Sequence, residues 1–191
     1  MSLSVSAVAT LFGYTGGTFG GAGPTSLLSQ SQGPSVSLAQ AEAGRTKGIA
    51  QEAKDPAVAR DVAAFRTAVA SAKDLKSLLA NPQARAVLLT ANGLADQTGY
   101  PALAIKALQS DPADPKGLAN LLTDKRFLAV AKTYAFAKSG LAVLRQPAAL
   151  NTIANGYAEV AWRKSLDVNT PGLSAALDFH QRAASITSTL Q

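Results

Sequence analysis

Lys73 to Ala91 reads KDLKSLLANPQARAVLLTA, and Lys116 to Tyr134 reads KGLANLLTDKRFLAVAKTY. Laid over one another, Lys73 meets Lys116, Leu75 meets Leu118, and Leu78 and Leu79 meet Leu121 and Leu122. Ala86, Val87 and Thr90 then meet Ala129, Val130 and Thr133, with Asn81 opposite Asp124. Both stretches spell a short apolar helix, a capping Asn or Asp, and a longer amphipathic helix. The offset of about 43 residues lies in the range of stacked helical units. Two copies do not make a solenoid, so the reading is an all-α multi-helical bundle with an internal duplication. The matched leucines are then expected to point into the core in both copies.

Outward from this stretch, the punctuation is regular. Asp55-Pro56, Asn81-Pro82, Asp114-Pro115 and Thr170-Pro171 each place a capping oxygen directly before a proline. Such a cap accepts an orphan N–H of the first turn, and proline at the first helical position gives up nothing. Tyr100-Pro101 and Gln146-Pro147 mark starts with weaker caps. Gly93 and Gly140 suit the left-handed position after a helix. Val58, Val62, Phe65 and Val69 share one face of a helix over 56–72, and Phe127, Val130, Ala131 and Tyr134 one face over 125–138. No segment alternates with period two, so roughly seven or eight helices with short connections are expected.

Ahead of these, Met1 to Ala41 carries no charged side chain, and Gly13, Gly16, Gly17, Gly20, Gly21 and Gly23 crowd its middle. Glycine costs the most backbone entropy on ordering, and few large side chains here offset it. Residues 1–36 are therefore read as a flexible arm, and 37–191 as a single helical domain. The arm has no basic n-region, and its apolar run is too short for a secretory signal or a membrane span. It is either an ordinary loose terminus or an uncleaved flagellar export signal.

In order along the chain stand DPAVARDVAAFRTAV, LLANP at Leu78 to Pro82, TANGLADQ, KALQSDPADP, GLANLLTDKRF and AKTYAFA. Together they resemble an uncharacterised, mainly alphaproteobacterial family, a domain of unknown function often encoded among flagellar genes. The resemblance runs from about Asp55 to the C-terminus. It implies a helical fold and a flagellar neighbourhood. The family has no established catalytic or ligand-binding residues, so none is carried over. Its members continue beyond the point where this chain stops, which leaves open whether the chain is a fragment of a longer protein.

Composition limits the chemistry. With no cysteine, disulfides and thiolate metal sites are excluded. Net charge is +6, but Lys and Arg are spread without runs, so solvated helix faces and not a nucleic-acid stripe are expected. His180, the single histidine, has no nucleophile and orienting acid converging on it in sequence and reads as structural or solvent-facing. Asp111 and Asp114 read as caps and not as a calcium loop, which needs four or more oxygen donors. Glu159 and Asp167 flank Arg163, which makes ion pairing the plainer account of that helix. Trp162 reads as core. The glycines of 13–23 lack the Lys-Ser/Thr ending and preceding strand of a phosphate loop. No catalytic, cofactor or metal residue is assigned.

Two features point to protein partners instead. Ala176, Phe179, Ala183, Ile186 and Leu190 recur at steps of three and four, a coiled-coil-like seam on the last helix. Docking back onto the bundle is the expected outcome, with continuation in a longer chain or a partner helix as alternatives. Lys125, Arg126 and Lys132 form a small basic face open to an acidic partner or to solvent. The expected function is a non-enzymatic helical structural or interaction protein of the flagellum or its assembly and export. The alternative is a cytoplasmic adaptor or chaperone-like module that binds a partner helix in a groove. The expected location is the cytoplasm or the flagellum, with no membrane insertion, and the oligomeric state is left open.

Overall fold

The computed structural model describes residues 34–189, and the side chains of 35–183. By backbone packing the chain divides into Met1–Ser37 and Leu38–Gln191. Of the first unit only 34–37 are among the described residues, so the architecture below is that of the second. The arm and export signal expected over 1–36 lie outside the described residues, except that the first helix, expected near Ser37, opens at Pro34.

The elements are α1 (Pro34–Glu52), α2 (Pro56–Ser71), α3 (Leu75–Ala80), α4 (Pro82–Ala91), a 3₁₀ turn (Ala95–Gln97), α5 (Pro101–Gln109), α6 (Leu118–Leu121), α7 (Arg126–Tyr134), α8 (Phe136–Ser139), α9 (Pro147–Asn169) and α10 (Leu173–Thr189). The fold is all-α, with no strand among the described residues. The division is finer than seven or eight helices because α6 and α8 are single turns.

Local chemistry sets most of these boundaries. Asp55 accepts from the N–H of Ala57 and Val58 at 2.8 and 3.2 Å, and Asn81 from those of Gln83 and Ala84. Each cap satisfies donors that a helix start leaves orphaned. Asp74 and Ser77 form a reciprocal capping box that opens α3. Gly93 and Gly140 take positive φ at +73° and +54° just past α4 and α8. α5 and α9 start at Pro101 and Pro147 without a side-chain cap.

Two of the expected starts differ. Asp114 accepts from Lys116 N–H at 2.9 Å, but this closes a turn, and α6 begins only at Leu118. α10 begins at Leu173, after Gly172 at φ +84°, and its opening is held by Asp167 of the preceding helix, not by Thr170. Asp167 accepts from Ser174 N–H at 2.9 Å and from the Ser174 hydroxyl. The helix expected over 125–138 also breaks, at Ala135, which takes φ +47°. That left-handed residue lets Tyr134 and Phe136, on either side of it, stack at 5.4 Å and both become buried.

α4 is the centre of the main core. It packs between α2 and α9, while α5 lies against α3 and α7. Phe65, Leu78, Leu79, Leu88, Leu89, Leu94, Leu108 and Leu144 are all sealed from solvent there. α9 approaches α4 so closely that a Cβ at Gly156 would sit 2.9 Å from the Ala91 carbonyl oxygen. Glycine is what that crossing requires. A second, smaller core joins Ala41 of α1, Trp162 of α9, and Leu173 and Leu177 of α10. Gly48 lies flush under the Trp162 indole.

The matched positions of the expected duplication are not buried alike. Val87 and Val130 are both buried, while Ala86 is only half-buried. Leu78, however, is sealed while Leu121 is 67% exposed, and Ala129 is exposed as well. The turns at Asp111 and Asp114 explain this. Ser110 Oγ accepts from Ala119 N–H, and the Asn120 amide donates to the Pro112 and Asp114 carbonyls. These bonds rotate α6 so that Ala119 faces the core and Leu121 faces out.

Candidate partner-binding surface

α10 docks through Leu173 and Leu177, one turn apart and both buried. Ala176, Phe179 and Ala183 are centred about 110° round the helix from them. All three are exposed, Phe179 to 77%. The described part of the seam thus does not close on its own bundle, contrary to expectation. The docking face is set by two leucines outside the seam, together with Asp178, which pairs with Arg163. The side chains of Ile186 and Leu190 lie outside the described residues.

The basic face is partly occupied. Arg126 holds Asp96 and Asp124 in charge-assisted bonds at 2.6–3.0 Å and donates to the Gly93 carbonyl. Hydrogen bonds from Arg126 pull the Asp96 carboxyl down to about 2 and lower Asp124 as well. Lys125 donates to the Asn120 carbonyl at 2.7 Å. Of the three, Lys132 alone projects without a bond. Arg126 is therefore a brace between the 3₁₀ turn and α7, not a free partner-facing cation.

The remaining candidates serve structure. His180 meets Glu42 at 2.5 Å across α10 and α1. Glu159 accepts from Arg45 at 2.8 Å and from Arg163. Burial pushes its carboxyl up, and those two guanidiniums more than offset that, leaving it below the ordinary value. Asp167 turns away to cap α10, and Ser174 lowers its carboxyl. Asp111 accepts from Ala113 N–H and lies 3.8 Å from Lys138. Trp162 is core. Tyr157 donates to Asp61 at 2.8 Å, and burial with that carboxylate pushes its hydroxyl up to about 12. Among the described residues there is no group of three or more His, Cys, Asp or Glu able to hold a metal, and no helix long and apolar enough to cross a membrane.

Sequence reasoning missed a groove along α9. One hollow of about 550 Å³ lies between α2 and α9 and is lined by Val58, Ala59, Val62, Ala63, Arg66, Asn151, Ala154 and Asn155. Asn155 also lines a second hollow, with Arg45, Thr46, Ile49 and Glu159, that runs along α1. Arg66 lines a third, with Val69, Ala70, Arg145 and Leu150. The surplus of exposed alanine on α2 at Ala59, Ala63 and Ala70 was its only trace in sequence.

With this geometry in view, comparison with known proteins is informative. Residues 91–191 match the family described as Protein of unknown function (DUF1217). The chain belongs to this family. The matched span opens inside α4, later than the resemblance read from Asp55, and takes in α5 to α10. This family member also resembles the crystal structure of a structural-genomics protein from Agrobacterium tumefaciens, an alphaproteobacterium, with a TM-score of 0.68 and 27% identity. The alignment covers 78% of this chain and 65% of that one, so the chain spans 65% of that relative's length. No curated protein matches.

Proposed function

We propose that this chain is a non-enzymatic helical structural or interaction protein associated with the bacterial flagellum or its assembly and export. The observation that carries the reading is the orientation of α10. Among the described residues, an apolar stripe led by a 77% exposed Phe179 faces away from the core that Leu173 and Leu177 of the same helix help to build. Contiguous apolar exposure of this kind marks interaction sites. The flagellar setting is supported by the sequence resemblance to a family often encoded among flagellar genes. The absence of catalytic work is supported by the titratable groups. Each one with a shifted value (Asp74, Asp96, Asp124, Arg126, Glu159, Asp167, Tyr134 and Tyr157) is explained by a cap, an ion pair, a hydrogen bond or simple burial. Caps and structural ion pairs shift pKa values of this kind without any catalytic role.

The test is fractionation. Expressed in a flagellated alphaproteobacterial host, the tagged chain should appear with basal bodies or in the culture supernatant. Phe179→Asp should abolish that co-fractionation while leaving the circular dichroism spectrum and melting point unchanged. Recovery in the cytosol alone, indifferent to Phe179→Asp, would overturn the proposal. The alternative, an adaptor that receives a partner helix, is favoured by the α9 groove.

A further inference from the structure

We infer that the groove along α9 is a docking site for an amphipathic helix with acidic flanks, supplied by another protein. It lies on a different surface from the α10 stripe and does not depend on the flagellar reading. Its reach suits a helix. From Val58 to Ala70 the α2 wall runs about 18 Å at the helical rise, which would accommodate a partner of roughly twelve residues. The sides are small, with Ala59 and Ala63 on α2 facing Ala154 on α9. Small side chains at a helix contact allow the axes to approach closely.

Charge selects the occupant. Arg45, Arg66 and Arg145 line the groove from one hollow to the next; Arg45 is paired with Glu159 and Arg145 donates to the Val69 and Ala72 carbonyls, so Arg66 keeps the most of its fork open. The carboxylate that lines it, Glu159, is already neutralised by Arg45 and Arg163. Arg66 is exposed and commits one N–H to Asn151 Oδ1 at 3.0 Å, leaving the rest of its fork for a carboxylate. The same imbalance extends over the molecule. Among the described residues every carboxylate except Glu52 is held in a hydrogen bond or ion pair, while the charged side-chain groups of Lys47, Lys54, Arg60, Lys73, Lys76, Lys106, Lys116, Lys132 and Lys164 hold none. Two other occupants fit less well. Residues 1–33 of this chain carry no charged side chain and would leave the arginines unused. A second copy brings its own +6 and is repelled.

The probes are a synthetic 14-residue alanine–leucine helix with glutamates flanking its apolar face, a twin with lysine for glutamate, and a peptide of residues 1–33. Binding is followed by fluorescence anisotropy. The glutamate peptide should bind the whole chain and the lysine twin should not. Arg66→Glu and Ala63→Trp should each weaken binding about tenfold or more, as loss of a central contact does. Lys106→Glu, a charge reversal on α5 outside the groove lining, should leave binding within about twofold. Melting curves establish that each variant is folded, and Ala59→Trp stands in if Ala63→Trp is not. No binding of the glutamate peptide, an equal loss from Lys106→Glu, or tighter binding of the 1–33 peptide would overturn the inference. So would a dimer in sedimentation that Ala63→Trp dissolves.

Discussion

Arg126 shows how one side chain can join two turns. Its guanidinium meets both oxygens of Asp96 in the 3₁₀ turn, at 2.9 and 2.8 Å, and also grips Asp124 ahead of α7. Both carboxylates bind protons less readily folded than unfolded. For such groups the stabilisation is complete above the unfolded value and is lost as pH falls through the folded one. For Asp96 that window runs from its ordinary 3.8 down to about 2. Thermal melts should therefore be flat from pH 7 to about 4 with respect to this pair and fall between about 4 and 2. Asp96→Asn should lower the neutral-pH melting point slightly and make that acid limb shallower. An unchanged acid limb in Asp96→Asn would show that the pair contributes nothing to acid stability. Both Asp96 and Arg126 are exposed, so salt should weaken the effect.

At the scale of elements, spacing alone does not say which face of a helix is used. α10 carries two apolar faces, Leu173 with Leu177 and Ala176 with Phe179 and Ala183, and packs only the first. α6 carries Leu118, Leu121 and Leu122 and turns Leu121 outward. Paired truncations separate the faces. Leu177→Ala and Leu78→Ala should each cost about 2–5 kcal/mol, because a sealed leucine loses its transfer energy and leaves a cavity. Phe179→Ala and Leu121→Ala should stay within about 0.5 kcal/mol, as exposed substitutions do. Urea unfolding of the four variants reads this directly. A cost for Phe179→Ala matching that for Leu177→Ala would mean that the stripe is covered in the folded state.

For the whole molecule, the uneven distribution of burial sets the order of opening. The main core contains most of the sealed side chains, centred on α4, and the smaller core holds α1 and α10 through Ala41, Trp162, Leu173 and Leu177 with a few ion pairs. Free energies of local opening follow buried apolar contact. Amides of α4 and of α9 up to Ala158 should then exchange slowest under native conditions, and those of α1 and α10 fastest. Hydrogen exchange that protects α10 as strongly as α4 would contradict this division.

The sequence by itself determined the helical class and many of the boundaries. Those depend on neighbours in the chain: Asp55 and Asn81 cap helices whose first turns follow at once, and Gly93 and Gly140 supply a left-handed step where they stand. It also determined a core face on two helices, Val58, Phe65 and Val69 on one and Phe127, Val130, Ala131 and Tyr134 on the other, because their spacing puts them on one side. Tertiary structure decided the rest, because the competing terms there come from distant residues. Asp167 reaches forward from α9 to open α10, displacing Thr170. The turns at Asp111 and Asp114 rotate α6 and break the symmetry that the repeat implied. The α9 groove exists only where α1, α2 and α9 converge, and three arginines at 45, 66 and 145 share no sequence pattern. What brings them into one line is the packing of those helices, a property of the folded surface that no local spacing encodes.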